Sequence, residues 1–127
     1  MTKSIRQIDF MVSGLKTVSE ANDRSHWAVK NRRKQEQQQM VSAVMHNALN
    51  GRHVELPCIV KLTRIGPKRM DDDNWARSAK GVRDIIAQKL GCDDGDESKI
   101  RFEYAQMPIG SRDYAVKVEI KSSQSDT

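Results

Sequence analysis

Between Val54 and Leu90 the chain changes its hydrophobic period once, and that change leaves few folds open. HVELPCIVKLTRI is rich in branched residues and partly alternates, so it predicts a strand from about Val54 to Ile65, with Pro57 near its start or at a sheet edge. Gly66 and Pro67 end it. From about Asn74 to Leu90 the period is helical. At about 100° per residue Trp75, Ala79, Val82, Ile86 and Leu90 share one stripe, and Gly91 supplies a stop. A strand followed by a helix with one apolar stripe buries both best when the helix lies on the sheet.

The rest of the chain adds strands and one longer helix. IRQIDFMV, residues 5–12, predicts a first strand, followed by a turn or loop through SGLKTVSEAND. From about Ser25 to Leu49 there is no Gly or Pro; Asn22, Asp23 and Ser25 offer N-cap oxygens, and Asn50 and Gly51 a stop. The half containing Met40, Val41, Val44, Met45, Ala48 and Leu49 must pack, whereas HWAVKNRRKQEQQQ is polar and basic and free to meet a partner. KIRFEYAQM and YAVKVEIK predict two more strands, joined by PIGSRD and expected to pair antiparallel. The order β-α-β-α-β-β defines an α+β fold: one domain over residues 1–122, a mixed or antiparallel sheet with helices packed on one side, and a disordered tail over 123–127.

A chain of 127 residues can bury about two-thirds of its unfolded surface in one core without disulfide or structural metal. Cys58 and Cys92 form no CxxC and have no nearby His, so both are expected to act as small hydrophobes. His26, His46 and His53 are too dispersed for a metal set, and Trp27 at a helix start is expected to pack rather than stack on a base. No apolar run approaches the roughly 18 residues of a membrane span, and the N-terminus lacks a secretory pattern. The expectation is a cytoplasmic protein with no membrane partner.

The net charge of +5 is unevenly spread. Residues 71–96 hold seven acids and four bases, a net of −3, which leaves 18 bases and 10 acids, a net of +8, on the remainder. A basic body is the footprint of a polyanion binder. Within the acidic stretch, Asp73, Arg77, Lys80 and Asp84 fall within about 60° of one another on the helix's polar face. A solvated face with an Asp N-cap and a Lys80–Asp84 pair explains that much. It does not explain Asp71, Asp72 and Asp73 side by side, or Asp93, Asp94 and Asp96 after a helix C-terminus, where the macrodipole disfavours carboxylates. Two adverse placements point to a hard divalent cation, of which Mg²⁺ commonly binds through a few carboxylates. Asp71 and Asp73 project to one side if the approach to the helix is extended, and Asp94 would return from a neighbouring loop. DDGDES lacks the order of an EF-hand.

Asp71-Asp72-Asp73-Asn74, then Lys80, Asp84, Gly91 and Asp93-Asp94 ahead of the strand KIRFEYAQ, resembles the RusA-type Holliday junction resolvases, especially the RusA-like endodeoxyribonucleases of phages and prophages. NDRSHWAVKNRRKQEQQ extends the likeness weakly toward the N-terminus. The resemblance implies a homodimer that resolves four-way junctions and other branched DNA by paired phosphodiester hydrolysis, in recombination and repair, within a bacterial or phage-infected cell. It implies Mg²⁺, with Mn²⁺ able to substitute, held by Asp71, Asp73 and Asp94, with Lys80 assisting catalysis. In some members the lysine stands where this chain has Arg77; Lys80 is favoured because its spacing to Asp84 also matches. Asp96 is an alternative to Asp94. Lys30, Arg32, Arg33, Lys68, Arg69 and Arg77 are the expected DNA contacts, and the dimer surface is expected from the Met40–Leu49 half-helix or an open strand edge. Two other classes remain: a catalytically silent DNA-binding phage protein of the same fold, and an acidic-loop protein that binds Ca²⁺ or a basic partner.

Overall fold

A computed structural model describes residues 3–16 and 27–123. In chain order the elements are β1 (Ser4–Ile5), β2 (Gln7–Ser13), α1 (Trp27–Leu49), β3 (His53–Val54), β4 (Cys58–Gly66), α2 (Asp72–Ser78), α3 (Lys80–Leu90), β5 (Ile100–Pro108) and β6 (Ala115–Ser122). The protein is a small α+β domain. Two expected strands are each divided: the first at Arg6 and the second around Leu56–Pro57, where Pro has no N–H to give a ladder. The two short pieces, β1 and β3, pair parallel with each other. The caps expected at Asn22, Asp23 and Ser25 lie outside the described residues.

The main sheet has the order β2-β6-β4-β5. β6 runs antiparallel to both neighbours, and β5 runs parallel to β4. The antiparallel β5–β6 pair expected from the sequence does not form, because β4 lies between them. Burial explains the order. Val116, Val118 and Ile120 of β6 are fully buried and suit a central strand, whereas most of β5 is exposed and suits an edge. The link 109–114 passes the end of β4, where Ile109 N–H donates to Gly66 O (2.9 Å). Parallel β4 and β5 are joined by the helical crossover that parallel neighbours require.

One face of the sheet is apolar. Phe10, Val118 and Leu62 form one cross-strand row, and Ile8, Ile120, Val60 and Phe102 another. Against them pack Val41, Met45 and Leu49 of α1 with Trp75, Ala79, Val82 and Ile86 of the α2–α3 segment, so the predicted helical stripe is core. Leu90 closes it, partly buried. Trp75 is fully buried, edge-on to Tyr104 with centroids 6.4 Å apart. The opposite sheet face carries Asp9, Met11, Lys61 and Glu103, all exposed, so the helices cover one side only.

The expected single helix over 74–90 is bent at Ala79, whose ψ is 3°. Arg83 Nη1 donates to Ala76 O, the carbonyl that Lys80 N–H would take in an unbroken helix. Ser123, expected to open a disordered tail, is held by hydrogen bonds. Ser122 ends β6, buried, and Ser123 donates through both N–H (2.9 Å) and Oγ (3.1 Å) to Pro57 O. Residues 124–127 lie outside the described residues. Among the described residues no helix is long and apolar enough to cross a membrane.

Candidate active site

The bend between β4 and α2 is held from the sheet. Gly66 leaves room for the Arg64 side chain, which lies 3.2 Å from where a β-carbon would stand, and Arg64 Nη1 donates to Lys68 O (2.7 Å). Gln106 sits opposite Arg64 in the β4–β5 register. Its Oε1 accepts Met70 N–H (2.8 Å), and its Nε2 donates to Met70 O (2.6 Å) and Asp72 Oδ1 (2.9 Å). Asp72 also pairs with Arg69 Nη2 (2.9 Å). Asp71 occupies the helix cap with an extended backbone, φ −56° and ψ 137°, but its carboxylate makes no capping bond; Asp71 O accepts Trp75 N–H (2.9 Å). Asp71 and Asp73 are both exposed. Among the described residues, the side-chain hydrogen bonds and ion pairs of this aspartate run fall on Asp72.

The second acidic stretch, residues 91–99, is a self-bonded turn. Gly91 has φ 84°, a left-handed conformation that ends α3 without the cost a side chain would bring. Asp93 Oδ1 accepts Gly95 N–H (3.2 Å), and Asp96 Oδ1 accepts Ser98 Oγ–H (2.5 Å) and N–H (3.1 Å). The Ser98 hydroxyl accordingly holds the Asp96 carboxyl below its ordinary value. Asp94 turns the other way. Its Oδ2 accepts from Lys80 Nζ at 3.0 Å, and the same ammonium donates to Asp84 Oδ1 at 3.0 Å. Asp94 first and Asp84 second raise the Lys80 pKa above its ordinary value, so the ammonium is retained. Lys34 of α1 reaches Asp84 Oδ2 at 3.4 Å. The chain Lys34–Asp84–Lys80–Asp94 thus ties α1, α3 and the turn together.

Of the six aspartates in the two clusters, Asp72, Asp93 and Asp96 are engaged in local structure. The remaining three are Asp71, Asp73 and Asp94, the set the family resemblance names. The side chains as placed do not gather them: among the described residues no three His, Cys, Asp or Glu side chains form a group able to hold a metal ion. Asp94 meets Lys80, while Asp71 and Asp73 face solvent. As donors, two uncommitted carboxylates two residues apart on an extended-to-helical junction, with a third on the turn after α3, suit Mg²⁺ by oxygen type and number.

Beside Lys80 lies a groove of about 460 Å³ lined by Trp27, Lys30, Asn31, Lys34, Gln37, Arg77, Ser78, Lys80 and Gly81. Four of those nine are basic and none is acidic. Of the expected DNA contacts, Lys30 and Arg77 share this groove, Arg32, Lys68 and Arg69 are exposed elsewhere, and Arg33 lines a different hollow with Lys16 and Glu36. Trp27, expected to pack, is 71% exposed. Lys34, Arg64 and Gln106 were not singled out by sequence. A usable signal existed for two of them: Arg64 and Gln106 share the parity of the core-facing residues Leu62 and Phe102 on their strands, where a polar side chain needs a specific partner. Burial pushes the Cys58 thiol up to about 11 and also raises that of half-buried Cys92, which favours the thiol over the thiolate at both. No family model and no curated protein matches the chain.

Proposed function

We propose that this protein is a Mg²⁺-dependent, structure-selective endodeoxyribonuclease of the RusA type, resolving four-way junctions and related branched DNA in the cytoplasm of a bacterial or phage-infected cell. The observation that carries the reading is the Lys80 ammonium at 3.0 Å from both Asp84 and Asp94. Parts of the motif 14 residues apart in sequence meet at one atom, as joint action on a phosphate requires. Asp71, Asp73 and Asp94 would hold the Mg²⁺, which when bound polarises a phosphate and lowers the pKa of its water. Lys80 supplies a fixed positive charge where negative charge develops on the phosphate, and Asp84 keeps that ammonium oriented. Arg77, one helical turn earlier, adds a second cation on the groove side. Lys30, Arg32, Arg33, Lys68 and Arg69 supply further charge for the DNA.

Two matched cuts need two sites, and a symmetric homodimer provides the second. The Met40–Leu49 half-helix is not available for that interface: Val41, Met45 and Leu49 are buried, and Met40, Val44 and Ala48 pack against the core. The open edges β2 and β5 remain, and β5 with the residue after it exposes Tyr104, Met107 and Ile109. Light scattering at micromolar concentration reads the dimer directly; a mass near 14.4 kDa would rule out a preformed pair.

One observation favours a catalytically silent DNA-binding protein instead, namely that Asp71, Asp73 and Asp94 are not gathered into one group among the described residues. The same assay separates the two. Synthetic four-way junctions incubated with Mg²⁺ are nicked by the wild type and left intact by Asp73→Asn if the protein is a nuclease. Binding without metal-dependent nicks identifies the silent form.

A further inference from the structure

The groove between α1 and the α2–α3 bend has a feature that duplex binding leaves unused. Its charged lining is wholly basic, Lys30, Lys34, Arg77 and Lys80, and Trp27 of the same lining is 71% exposed. Helices α1 and α3 approach closely here because residue 81 is glycine: a β-carbon there would stand 2.8 Å from Lys34 Cγ. The Lys34 stem therefore lies across α3 and carries its ammonium to Asp84. At its other end the groove reaches Lys80, and through it Asp94.

Cations alone would suit any polyanion. A duplex, however, keeps its bases stacked inside and presents only their edges, so an exposed indole gains little from it. An unpaired strand offers base faces to stack on and phosphates at the same time, the combination that single-strand sites join in one groove. We infer that this groove seats an unpaired DNA strand, Trp27 stacking on one base while Lys30, Lys34, Arg77 and Lys80 follow the phosphates toward Asp94. The inference rests on the nuclease reading for its choice of DNA as the polyanion. It adds that the strand delivered to the site is unpaired at the groove, which makes Trp27 a determinant of selectivity for branch points over plain duplex.

Binding measured in EDTA separates this from catalysis. The probes are a fluorescein-labelled dT 12-mer, an abasic 12-mer carrying the same phosphates, a 12-base-pair duplex and polyglutamate, titrated by anisotropy against the full chain. Stacking is worth about 1–3 kcal/mol per base, so the wild type should bind dT about 5- to 140-fold tighter than the abasic strand. Trp27→Ala should lose that preference and keep its abasic affinity, and Trp27→Phe should keep most of the preference. Arg77→Gln should weaken dT and abasic strands alike and reduce the salt slope by about 0.7, the value for one phosphate of a single strand. Equal wild-type affinity for dT and abasic strands overturns the inference, as does an unchanged Trp27→Ala variant, tighter binding of the duplex, or polyglutamate binding as tightly as dT. Junction nicking is scored apart. A chain that stacks dT on Trp27 yet never nicks retains this inference and loses the nuclease; one that nicks junctions while ignoring Trp27→Ala does the reverse.

Discussion

The two acidic stretches look alike in sequence and are built in opposite ways. The run at 71–73 is held from outside: the Gln106 amide takes both polar backbone groups of Met70 and one oxygen of Asp72, and Arg64 fixes the Lys68 carbonyl. The turn at 91–99 holds itself, with Asp93 and Asp96 bonded to residues two further on and Asp96 O accepting from Lys99 and Ile100 N–H at 3.0 Å. Each arrangement uses some aspartates in local bonds and leaves others outside them, Asp71 and Asp73 in the first and Asp94, paired with Lys80, in the second. Clustering of aspartates is therefore not itself the site. What matters is which carboxylates the local bonds leave over, and how firmly the backbone beneath them is fixed.

Removing one carboxylate that stands outside the local bonds from each stretch has the largest expected effect. Asp73→Asn and Asp94→Asn should both abolish Mg²⁺-dependent nicking, while Asp72→Asn, Asp93→Asn and Asp96→Asn leave measurable activity; gel assays on a labelled junction distinguish them. Junction binding by Asp73→Asn should hold or tighten, because a charge that repels phosphate is gone. If Asp96→Asn were silent and Asp94→Asn active, the assignment within the second turn would be reversed. Next in size, Lys80→Ala should lower the nicking rate by about a hundredfold or more, the usual loss when one charge-stabilising donor is removed. Arg77→Ala should cost less in rate and more in affinity.

The clamp on the first stretch gives the third test. Gln106→Ala removes three hydrogen bonds without touching an acting carboxylate, and outer-shell losses of this kind typically cost about 10- to 100-fold in activity or metal affinity. Gln106→Ala should raise the Mg²⁺ concentration needed for half-maximal nicking. Ser98→Ala, in the self-held turn, should leave that concentration unchanged. If both variants moved it equally, the two stretches would not differ in the way their bonds suggest.

Local features of this fold were legible in the chain. The stripe Trp75–Ala79–Val82–Ile86–Leu90 and the Lys80–Asp84 pair follow from helical spacing alone, since residues three and four apart meet wherever a helix forms. What sequence missed depends on which strands are neighbours. Consecutive strands default to a hairpin, so β5 and β6 were expected to pair, and only the insertion of β6 beside β2 sends β5 to the edge. Arg64 and Gln106 act through that same β4–β5 register, so their role was hidden with it. Which aspartates of the second turn bond locally depends on a conformation in which Gly95 and Ser98 donate to Asp93 and Asp96.

A smaller effect separates the two ends of the pH range. Asp96 has a folded pKa below the ordinary 3.8, so the turn gains stability from its ionised form above that value and loses it as pH falls through the lowered one. Lys80 has a folded pKa above the ordinary 10.5, so on the alkaline side its contribution is complete below that value and is lost as pH rises through the raised one. Ser98→Ala removes the main cause of the Asp96 shift, leaving the weaker backbone N–H bond and the Lys99 charge, and should move the Asp96 carboxyl up toward 3.8. Its cost in urea unfolding should be small at pH 7 and should vanish well below pH 3.8, where the carboxyl is protonated in both states. Carboxyl NMR titration of Asp96 checks the shift itself. An equal loss of stability at pH 7 and at pH 2 would mean that the hydroxyl matters through packing alone, and that the second turn is not held by its carboxylate as the geometry indicates.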